Sequence, residues 1–281
     1  MSDRSGSDND NFSRIANRVR FVLVEPQFAG NVGSAARALM NLGFSRLLLV
    51  RPACDPLDEQ ALRMAVGAAG LLRDARVHVE LDDALAGAGT VVGATRRRGR
   101  QRRPHRRVDL CVGELVGQSD SELAILFGRE DHGLSDQDLD RCTHLVHLPA
   151  AGAYPSFNLA QALLLVAYEI RKAGLETPPR SDEMPPPAPH EEREGLYRHL
   201  EQALHTIGFL TPEMAPAMMR KLRRLFGRAG ISEDEVALLR GIARQTLWAA
   251  RQAGLPLARG PESEPGVEPE LPARRRDGNR E

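Results

Sequence analysis

The residues with the greatest capacity for chemistry lie in three short polar segments. The first is NVGSAAR (31–37), the second is FGREDHGL (127–134), and the third is LPAAGAYPSFNL (148–159). Arg37 stands within an otherwise apolar helical stretch, where packing alone would not require a charge. Because a guanidinium stays protonated and presents a planar fork of donors, Arg37 is suited to hold an anion.

Each segment also has a simpler explanation when it is taken alone. An Asn-x-Gly sequence before a helix often forms only a turn and a cap, and Ser156 and Asn158 could simply begin a helix. The stretch Gly-Arg-Glu (128–130) could be an ordinary loop. The order and spacing of the three segments together are far more specific than any one of them.

Apolar runs that alternate with helical patterns must position these segments. The predicted strands are 19–25, 46–50, 77–80, 90–95, 122–128 and 144–149, and the longest helical patterns cover 33–43, 61–75 and 157–174. Near-continuous apolar strands separated by helices predict an α/β domain with a parallel sheet covered on both faces. The polar segments lie at strand ends, where ligands bind in open α/β sheets.

Composition divides the chain into five parts. Residues 1–17 are polar without periodicity, which predicts disorder. The α/β domain is predicted over 18–175, followed by a linker over 176–191 that contains six prolines. Residues 192–252 have helical periodicity and a capping box at Ser232 and Glu235, so they predict a small all-α domain. Residues 253–281 are predicted to be a disordered tail.

The formal net charge is zero, but the basic residues are concentrated. Eight of the twelve residues in RRRGRQRRPHRR (96–107) are arginine, and a second basic cluster occupies 220–224. Such clusters bind phosphates without reading sequence. Because only 4% of the residues are aromatic, recognition of a nucleic acid by base stacking is not expected.

Several classes of protein are not favoured by the sequence. The three cysteines have no metal-ligand spacing, which predicts a reducing compartment and no metal site. No apolar run is long enough to span a membrane, and the N-terminus does not look like a signal peptide, so a cytoplasmic protein is expected. The first predicted turn lacks GxGxxG, and GAGTVVG (87–93) precedes a strand, which argues against a dinucleotide oxidoreductase.

Together the three segments resemble the three motifs of the SpoU branch of the knotted (SPOUT) RNA 2′-O-methyltransferases. The resemblance covers about residues 19–174. Farther along, LYRHLEQALHTIGFL, MRKLRRLFGRAG and EVALLRGIARQ resemble the helical extension of a tRNA-modifying subgroup of that branch. The resemblance implies a deep trefoil knot around 148–159 and a homodimer with active sites at the subunit interface. It also implies S-adenosylmethionine (SAM) as methyl donor and ribose methylation at the pyrimidine nucleotide 32 of the tRNA anticodon loop.

The resemblance further assigns roles to individual residues. The implied catalytic residues are Arg37, Asn31, Glu130, Ser156 and Asn158. The implied cofactor-binding residues are Ala94, Thr95, Arg96, Gly128, Leu148, Pro155, Ser156 and Phe157. The candidate RNA contacts are Arg97, Arg98, Arg100, Arg102, Arg103, Arg129, Lys221, Arg223 and Arg224.

Two alternatives remain within RNA biology. One is a SpoU-type enzyme that acts on ribosomal RNA, but the presence of the C-terminal extension argues against it. The other is an RNA-binding protein that has lost catalysis, but the intact set of implied catalytic residues argues against it. In the favoured interpretation, Arg37 holds the target phosphate and stabilises the alkoxide that develops on the ribose, and Glu130 orients Asn31 or the loop backbone.

Overall fold

One parallel β-sheet forms the centre of the computed structural model, which describes residues 4–96, 105–117, 121–151, 156–176 and 185–257. Its strands are β1 (Val19–Val24), β2 (Leu47–Val50), β3 (Arg76–His78), β4 (Ala88–Ala94), β5 (Arg106–Arg107), β6 (Glu122–Phe127) and β7 (His144–His147). They lie in the order β3-β2-β1-β6-β4-β7-β5, and all neighbours are parallel. The predicted parallel sheet is confirmed.

Helices cover both faces of this sheet. They are α1 (Arg4–Arg18), α2 (Ala29–Asn41), α3 (Glu59–Ala65), α4 (Ala69–Asp74), α5 (Leu81–Leu85), α6 (Val108–Gly117), α7 (Asp136–Arg141) and α8 (Leu159–Glu176). Because side chains alternate along a strand, β1 feeds two cores. Phe21 and Leu23 pack with residues of α1, α2, α6 and α8, whereas Val22 and Val24 pack with residues of α5 and α7.

The expectation of disorder over residues 1–17 is wrong for most of that segment, because Arg4–Arg18 forms α1. Phe12, Ile15 and Ala16 are buried against the sheet domain. The Phe12 ring meets the edge of Phe44 at 5.5 Å, and the Arg171 guanidinium lies 4.3 Å from its centre. These apolar residues have helical spacing, but the polar composition around them hides the signal.

Other local elements also differ from expectation. The predicted helix over 61–75 is interrupted, because Val66 has a φ of 52° and a short 3₁₀ turn (Val66–Ala68) separates α3 from α4. Helix α6 and the edge strand β5 were not predicted. Strand β5 is the end of the arginine-rich segment, and it pairs with Val146 and His147 of β7.

The predicted all-α region consists of α9 (His190–Thr206), α10 (Ala215–Ala229) and α11 (Glu233–Gln252). The capping box at the start of α11 is confirmed, since Ser232 N–H donates to Glu235 and the Ser232 hydroxyl accepts from Glu235 N–H. The linker prediction is wrong for 185–189. Ala188 is fully buried and its N–H donates to Ile231 O at 2.7 Å, so this stretch packs against α11 rather than acting as a spacer.

Polar contacts fix this helical extension to the sheet domain. Asp82 of α5 accepts from Arg141 of α7 at 2.6 and 3.0 Å and lies 3.0 Å from the imidazole of His190 in α9. The hydrogen bonds to His190 and Arg141 hold the pKa of Asp82 well below its usual range. Arg193, which is buried, donates to backbone carbonyls at Ala188 and in β4. The extension therefore has a defined position on the sheet domain.

The implied trefoil knot stays a prediction. Its threaded segment would be 148–159, and residues 152–155 of that segment lie outside the described ranges. No helix in the described part of the chain is long and apolar enough to cross a membrane.

Candidate active site

Four adjacent strands bring the three polar segments to one edge of the sheet. Strands β1, β6, β4 and β7 are neighbours in that order. Because they are parallel, their carboxyl ends meet at the same edge. There β1 leads to the start of α2, β6 to the loop 128–134, β4 to Thr95, and β7 to Leu148. Residues about a hundred positions apart in sequence therefore come into contact.

A hydrogen-bonded chain joins one residue from each polar segment. Asn31 Nδ2 donates to Glu130 Oε1 at 2.8 Å, and Asn31 Oδ1 accepts from Asn158 Nδ2 at 2.9 Å. Asn158 Oδ1 in turn accepts from Ala160 N–H at 2.9 Å and caps the start of α8. Both ends of the Asn31 amide are held, so its orientation is fixed by Glu130 and Asn158 together.

Glu130 also holds the backbone that leads into α2. Its carboxylate accepts from the N–H of Gln27 at 2.9 Å and from the N–H of Phe28 at 3.4 Å. Phe28 is the N-cap of α2 and has no side-chain oxygen to offer, so Glu130 supplies the acceptor. Its negative charge also complements the positive end of the helix dipole. The prediction was that Glu130 orients Asn31 or the loop backbone, and the structure places its carboxylate in contact with Asn31 and with the backbone of Gln27 and Phe28. Its role in catalysis stays a prediction.

Arg37 lies on α2 six residues beyond Asn31, which corresponds to about 9 Å along the helix axis. Its side chain is exposed. Within the described ranges, no hydrogen bond or ion pair engages its guanidinium. The cation is therefore available to an anionic ligand, as a purely structural arginine would not be.

An open cleft next to this network contains most of the predicted cofactor residues. Its lining includes Ala94, Thr95, Arg96, Gly128, Leu148, Ser156 and Phe157. Pro155 lies outside the described residues. The lining also includes Glu130 and Arg129, which were predicted for other roles. The lining residues that were not predicted are Phe127, Asp131, His132, Gly133, Val146, His147, Leu159, Ala162 and Val166. Most of these follow the ends of β6 and β7 or face them from α8, a proximity that only the strand order reveals.

Gly128 is required by a backbone contact within its own loop. A Cβ atom at this position would lie 2.1 Å from Gly133 C and from Leu134 N, far inside van der Waals contact. The absence of a side chain at Gly128 therefore allows the loop backbone at 133–134 to approach closely. Ser156, which was predicted for both the catalytic and the cofactor set, lines the cleft and is exposed.

Two of the candidate RNA contacts are engaged in intramolecular pairs. Arg223 donates to both carboxylate oxygens of Glu194, and the distance from Arg223 Nη2 to Glu194 Oε2 is 2.8 Å. Its guanidinium lies 4.4 Å from the centre of the Tyr197 ring. Arg223 is only 24% exposed and is engaged within the extension, and its role as an RNA contact stays a prediction. Arg129 donates to Asp131 at 3.1 and 3.0 Å and to a second carboxylate, so its charge is already balanced.

The remaining candidates divide between two places. Arg97, Arg98, Arg100, Arg102 and Arg103 lie outside the described residues. Lys221 and Arg224 line a groove between α10 and the sheet domain.

Comparison with known families identifies the class of protein. A family model described as the SpoU rRNA Methylase family matches residues 18–168, which include the whole sheet and the network at its edge. The fold and the site therefore define a SpoU-type methylase, and the chain belongs to that family. A second model, described as the C-terminal domain of the tRNA methyltransferase TrmJ, matches residues 191–255.

Individual relatives agree with this second match. The tRNA (cytidine/uridine/adenosine-2′-O-)-methyltransferase TrmJ of Pseudomonas aeruginosa is 38% identical over 254 residues, which cover 84% of this chain and 96% of the relative. The TrmJ of Cronobacter sakazakii is 39% identical over 80% of this chain and 94% of its own length. The crystal structure of TrmJ from Z. mobilis superposes with a TM-score of 0.70 at 33% identity, covering 80% of this chain and 97% of that one. Within the SpoU family, the chain groups with the TrmJ proteins.

Proposed function

We propose that this protein transfers a methyl group from SAM to the ribose 2′-hydroxyl of the pyrimidine at position 32 of tRNA. The observation that carries the proposal is the fixed Asn31 amide, which is held between Glu130 and Asn158 next to an open cleft, with Arg37, unpaired among the described residues, farther along the same helix. The similarity to TrmJ proteins over both the sheet domain and the extension supports tRNA as the substrate class.

The cleft suits SAM in shape and chemistry. Its lining combines small or apolar side chains such as Ala94 and Leu148 with charged side chains of the loop after β6, and Gly128 allows that loop to fold tightly. Such a pocket can bind an adenosine group through backbone donors and acceptors. When bound, SAM supplies an electrophilic methyl group, and Thr95, Leu148 and Phe157 would hold it at the carboxyl ends of β4 and β7.

Arg37 acts as a fixed cation in this proposal. A ribose hydroxyl is rarely ionised at neutral pH, so negative charge develops on its oxygen as methyl transfer proceeds. The guanidinium cannot serve as an ordinary base because it stays protonated. It instead holds the target phosphate and stabilises the developing alkoxide, while the proton leaves through a phosphate oxygen or water.

A homodimer is part of the proposal and is supported by an apolar surface on α8. Leu164, Leu165 and Tyr168 are 41%, 38% and 53% exposed, and Leu110 of the neighbouring α6 is 71% exposed. A contiguous apolar surface of this kind is typical of an interface between subunits. A second copy of the chain packed on α8 would place this surface next to Phe157 at the cleft. A tRNA substrate also implies a cytoplasmic location.

The test is methyl transfer from labelled SAM to unmodified tRNA transcripts that carry C or U at position 32. Wild type, Arg37→Ala, Arg37→Lys and the control Arg73→Ala, which removes an exposed cation from α4, would be compared. We expect label at ribose 32 with wild type and the control, and a loss of about 10²- to 10³-fold with Arg37→Ala. Near-full activity of Arg37→Lys would show that a planar fork is not needed. Transfer to ribosomal RNA instead of tRNA would reject the substrate, and the absence of transfer to either would reject the enzyme.

A further inference from the structure

A second concave surface lies between the helical extension and the sheet domain, away from the Asn31 network. One wall is the second half of α10, with Lys221, Arg224 and Arg228, and the other wall is formed by β5, α6 and β7. We call this surface the interdomain groove. Among the described residues, only Val146 lines both this groove and the cofactor cleft.

The two walls of the groove are held at a fixed separation. At Gly227, α10 comes so close to the sheet domain that a Cβ atom there would lie 3.3 Å from Thr143 Cα. The cluster of Asp82, Arg141 and His190 fixes α9, against which α10 packs. The groove is therefore already formed, and an occupant does not have to order its walls before binding.

The α10 wall carries positive charge that the described residues do not balance. Lys221, Arg224 and Arg228 recur at intervals of three and four residues, so they share one face of α10. Lys221 and Arg228 are exposed, and neither forms an ion pair within the described ranges. On the opposite wall, Arg106 is already paired with Glu114 at 2.6 Å. An occupant of the groove should therefore be acidic.

The groove also has an apolar floor. Leu115 and Leu145 of the sheet domain line it, and Leu225 of α10 lines it while 50% exposed. An occupant that carried only charged groups would leave these leucines uncovered. A peptide that combines carboxylates with aliphatic side chains would cover the leucines and pair with the cations at the rim.

The chain itself contains a segment of this composition, which we call the acidic tail. It is PESEPGVEPEL (261–271), with four glutamates, three prolines, Val267 and Leu271, and no basic residue. The acidic tail lies outside the described residues and beyond residue 255, where the match to the family model for the extension ends. It is therefore additional to the helical domain that this model describes.

The acidic tail is long enough to reach the groove. Helix α11 begins four residues after α10 ends and has 20 residues, so it is about 30 Å long. Val267 and Leu271 are ten and fourteen residues beyond Leu257, the last described residue. An extended chain spans up to about 3.3 Å per residue, so these side chains can lie about 33–46 Å from Leu257. That distance exceeds the length of α11 and allows a return to the end of α10, where the groove lies.

We propose that the acidic tail binds in the interdomain groove of the same molecule. Its glutamates pair with Lys221 and Arg228, and Val267 and Leu271 cover the leucines of the floor. Because the acidic tail is tethered to α11, its effective concentration at the groove is on the order of millimolar, so modest affinity is sufficient. Its prolines also reduce the conformational entropy that is lost on binding.

A bound acidic tail would neutralise the basic face of α10 and close the groove to other anions. The proposal concerns contacts within one chain, so it does not depend on the proposed methyl transfer. Absence of methyl transfer would leave it intact, and absence of tail binding would leave the proposed reaction intact.

The first test locates the acidic tail by photocrosslinking in the full-length protein without RNA. A photoreactive benzoylphenylalanine replaces Leu225 in the groove or, as a control, Leu238 of α11, which is 66% exposed. We expect position 225, and not position 238, to crosslink to residues 261–271. Mixing isotopically labelled and unlabelled protein distinguishes crosslinks within one chain from crosslinks between two copies.

Three results of this test would overturn the proposal. The first is equal crosslinking of the acidic tail from positions 225 and 238, which would show that it contacts the surface without preference. The second is crosslinking of the acidic tail only between labelled and unlabelled copies. The third is a position 225 that crosslinks to added tRNA but never to the acidic tail, which would make the groove a surface for nucleic acid alone.

The second test measures whether the groove is already occupied. A fluorescent synthetic peptide of residues 261–271 is titrated into wild type and into a tail variant that carries Glu262→Gln, Glu264→Gln, Glu268→Gln and Glu270→Gln. In wild type the tethered acidic tail competes with the peptide, whereas the tail variant leaves the groove open. We therefore expect the peptide to bind the tail variant about tenfold more tightly than wild type.

Substitutions in the tail variant then identify the surface that binds the peptide. Lys221→Ala/Arg228→Ala should weaken peptide binding by roughly fivefold, as expected for two exposed ion pairs. Arg244→Ala/Arg251→Ala, which removes two exposed cations from α11, is the matched control and should change nothing. Equal affinity of the peptide for wild type and the tail variant, or equal effects of the two double substitutions in folded protein, would overturn the proposal.

Discussion

Replacing Glu130 with glutamine tests whether the carboxylate organises the active site through Asn31 and the start of α2. Glu130 accepts from three donors, at 2.8, 2.9 and 3.4 Å. A glutamine keeps one acceptor oxygen and turns an NH₂ group toward the other donors. At least one charge-assisted hydrogen bond is lost, which costs about 1.5–3 kcal/mol. The lost interaction with the helix dipole adds about 0.3–1 kcal/mol.

Because Glu130 is only partly buried, the lower part of this range applies, or about 2 kcal/mol. If that free energy is what holds Asn31 in its reactive orientation, methyl transfer should fall roughly 10- to 100-fold. The stability to urea should fall by a similar free energy. The assay is single-turnover transfer from saturating labelled SAM to a tRNA transcript, alongside urea unfolding.

Glu235→Gln is the matched control. Its carboxylate also accepts a backbone N–H at a helix start, from Ser232 at 2.8 Å, but in the extension far from the cleft. It should lose about 1 kcal/mol of stability and retain methyl transfer. Wild-type transfer by folded Glu130→Gln, or an equal loss of transfer in Glu235→Gln, would refute the reasoning.

Three further substitutions separate positioning from stability. Asn158→Asp should keep the cap on α8 but slow methyl transfer at least tenfold, because a carboxylate cannot donate a hydrogen bond to Asn31 Oδ1. An unchanged rate of methyl transfer would show that this hydrogen bond is dispensable. Gly128→Ala should cost more than about 2 kcal/mol in urea unfolding because its Cβ has no room, whereas Gly70→Ala, with open space around it, should cost nothing. Asp82→Asn should lower stability by about 1 kcal/mol. The pKa of Asp82 is lowered in the folded protein, so the loss of stability in Asp82→Asn should stay constant from neutral pH down to 3.8, the ordinary pKa of an aspartate, and shrink only below that pH. A loss of stability that grew on acidification would contradict the ion cluster.

Seven of the eight cofactor residues implied by the family resemblance line the cleft, and the apolar runs identify the strands that several of them follow. Ala94 and Thr95 come at the end of β4, and Leu148 follows β7, so a correct strand assignment placed them at one edge. The N-terminal helix was missed for the opposite reason. Phe12 and Ile15 are few among polar neighbours, and they become buried only because the sheet domain offers them a surface.

Charged side chains were the least predictable, because their role depends on what lies nearby. Arg223 and Lys221 are two residues apart and equally basic in the sequence, yet Arg223 pairs with Glu194 while Lys221 faces the groove. Arg129 is held both by Asp131, its neighbour two residues along the chain, and by Glu25, which is 104 positions away and could not be identified as a partner from the sequence. The partner of a charge is chosen by distance in space.

The amino-acid sequence by itself determined the alternation of strands and helices, the three polar segments, and the family to which they point. These depend on local periodicity and on the identity of a few residues. Only the tertiary structure decided that Asn31 is held between Glu130 and Asn158, which are 99 and 127 positions away. It also decided that Arg106 and α10 face each other across one groove. The physical reason is that the strand order β1-β6-β4-β7-β5 and the docking of the extension set these distances, and neither is encoded in any short stretch of the chain.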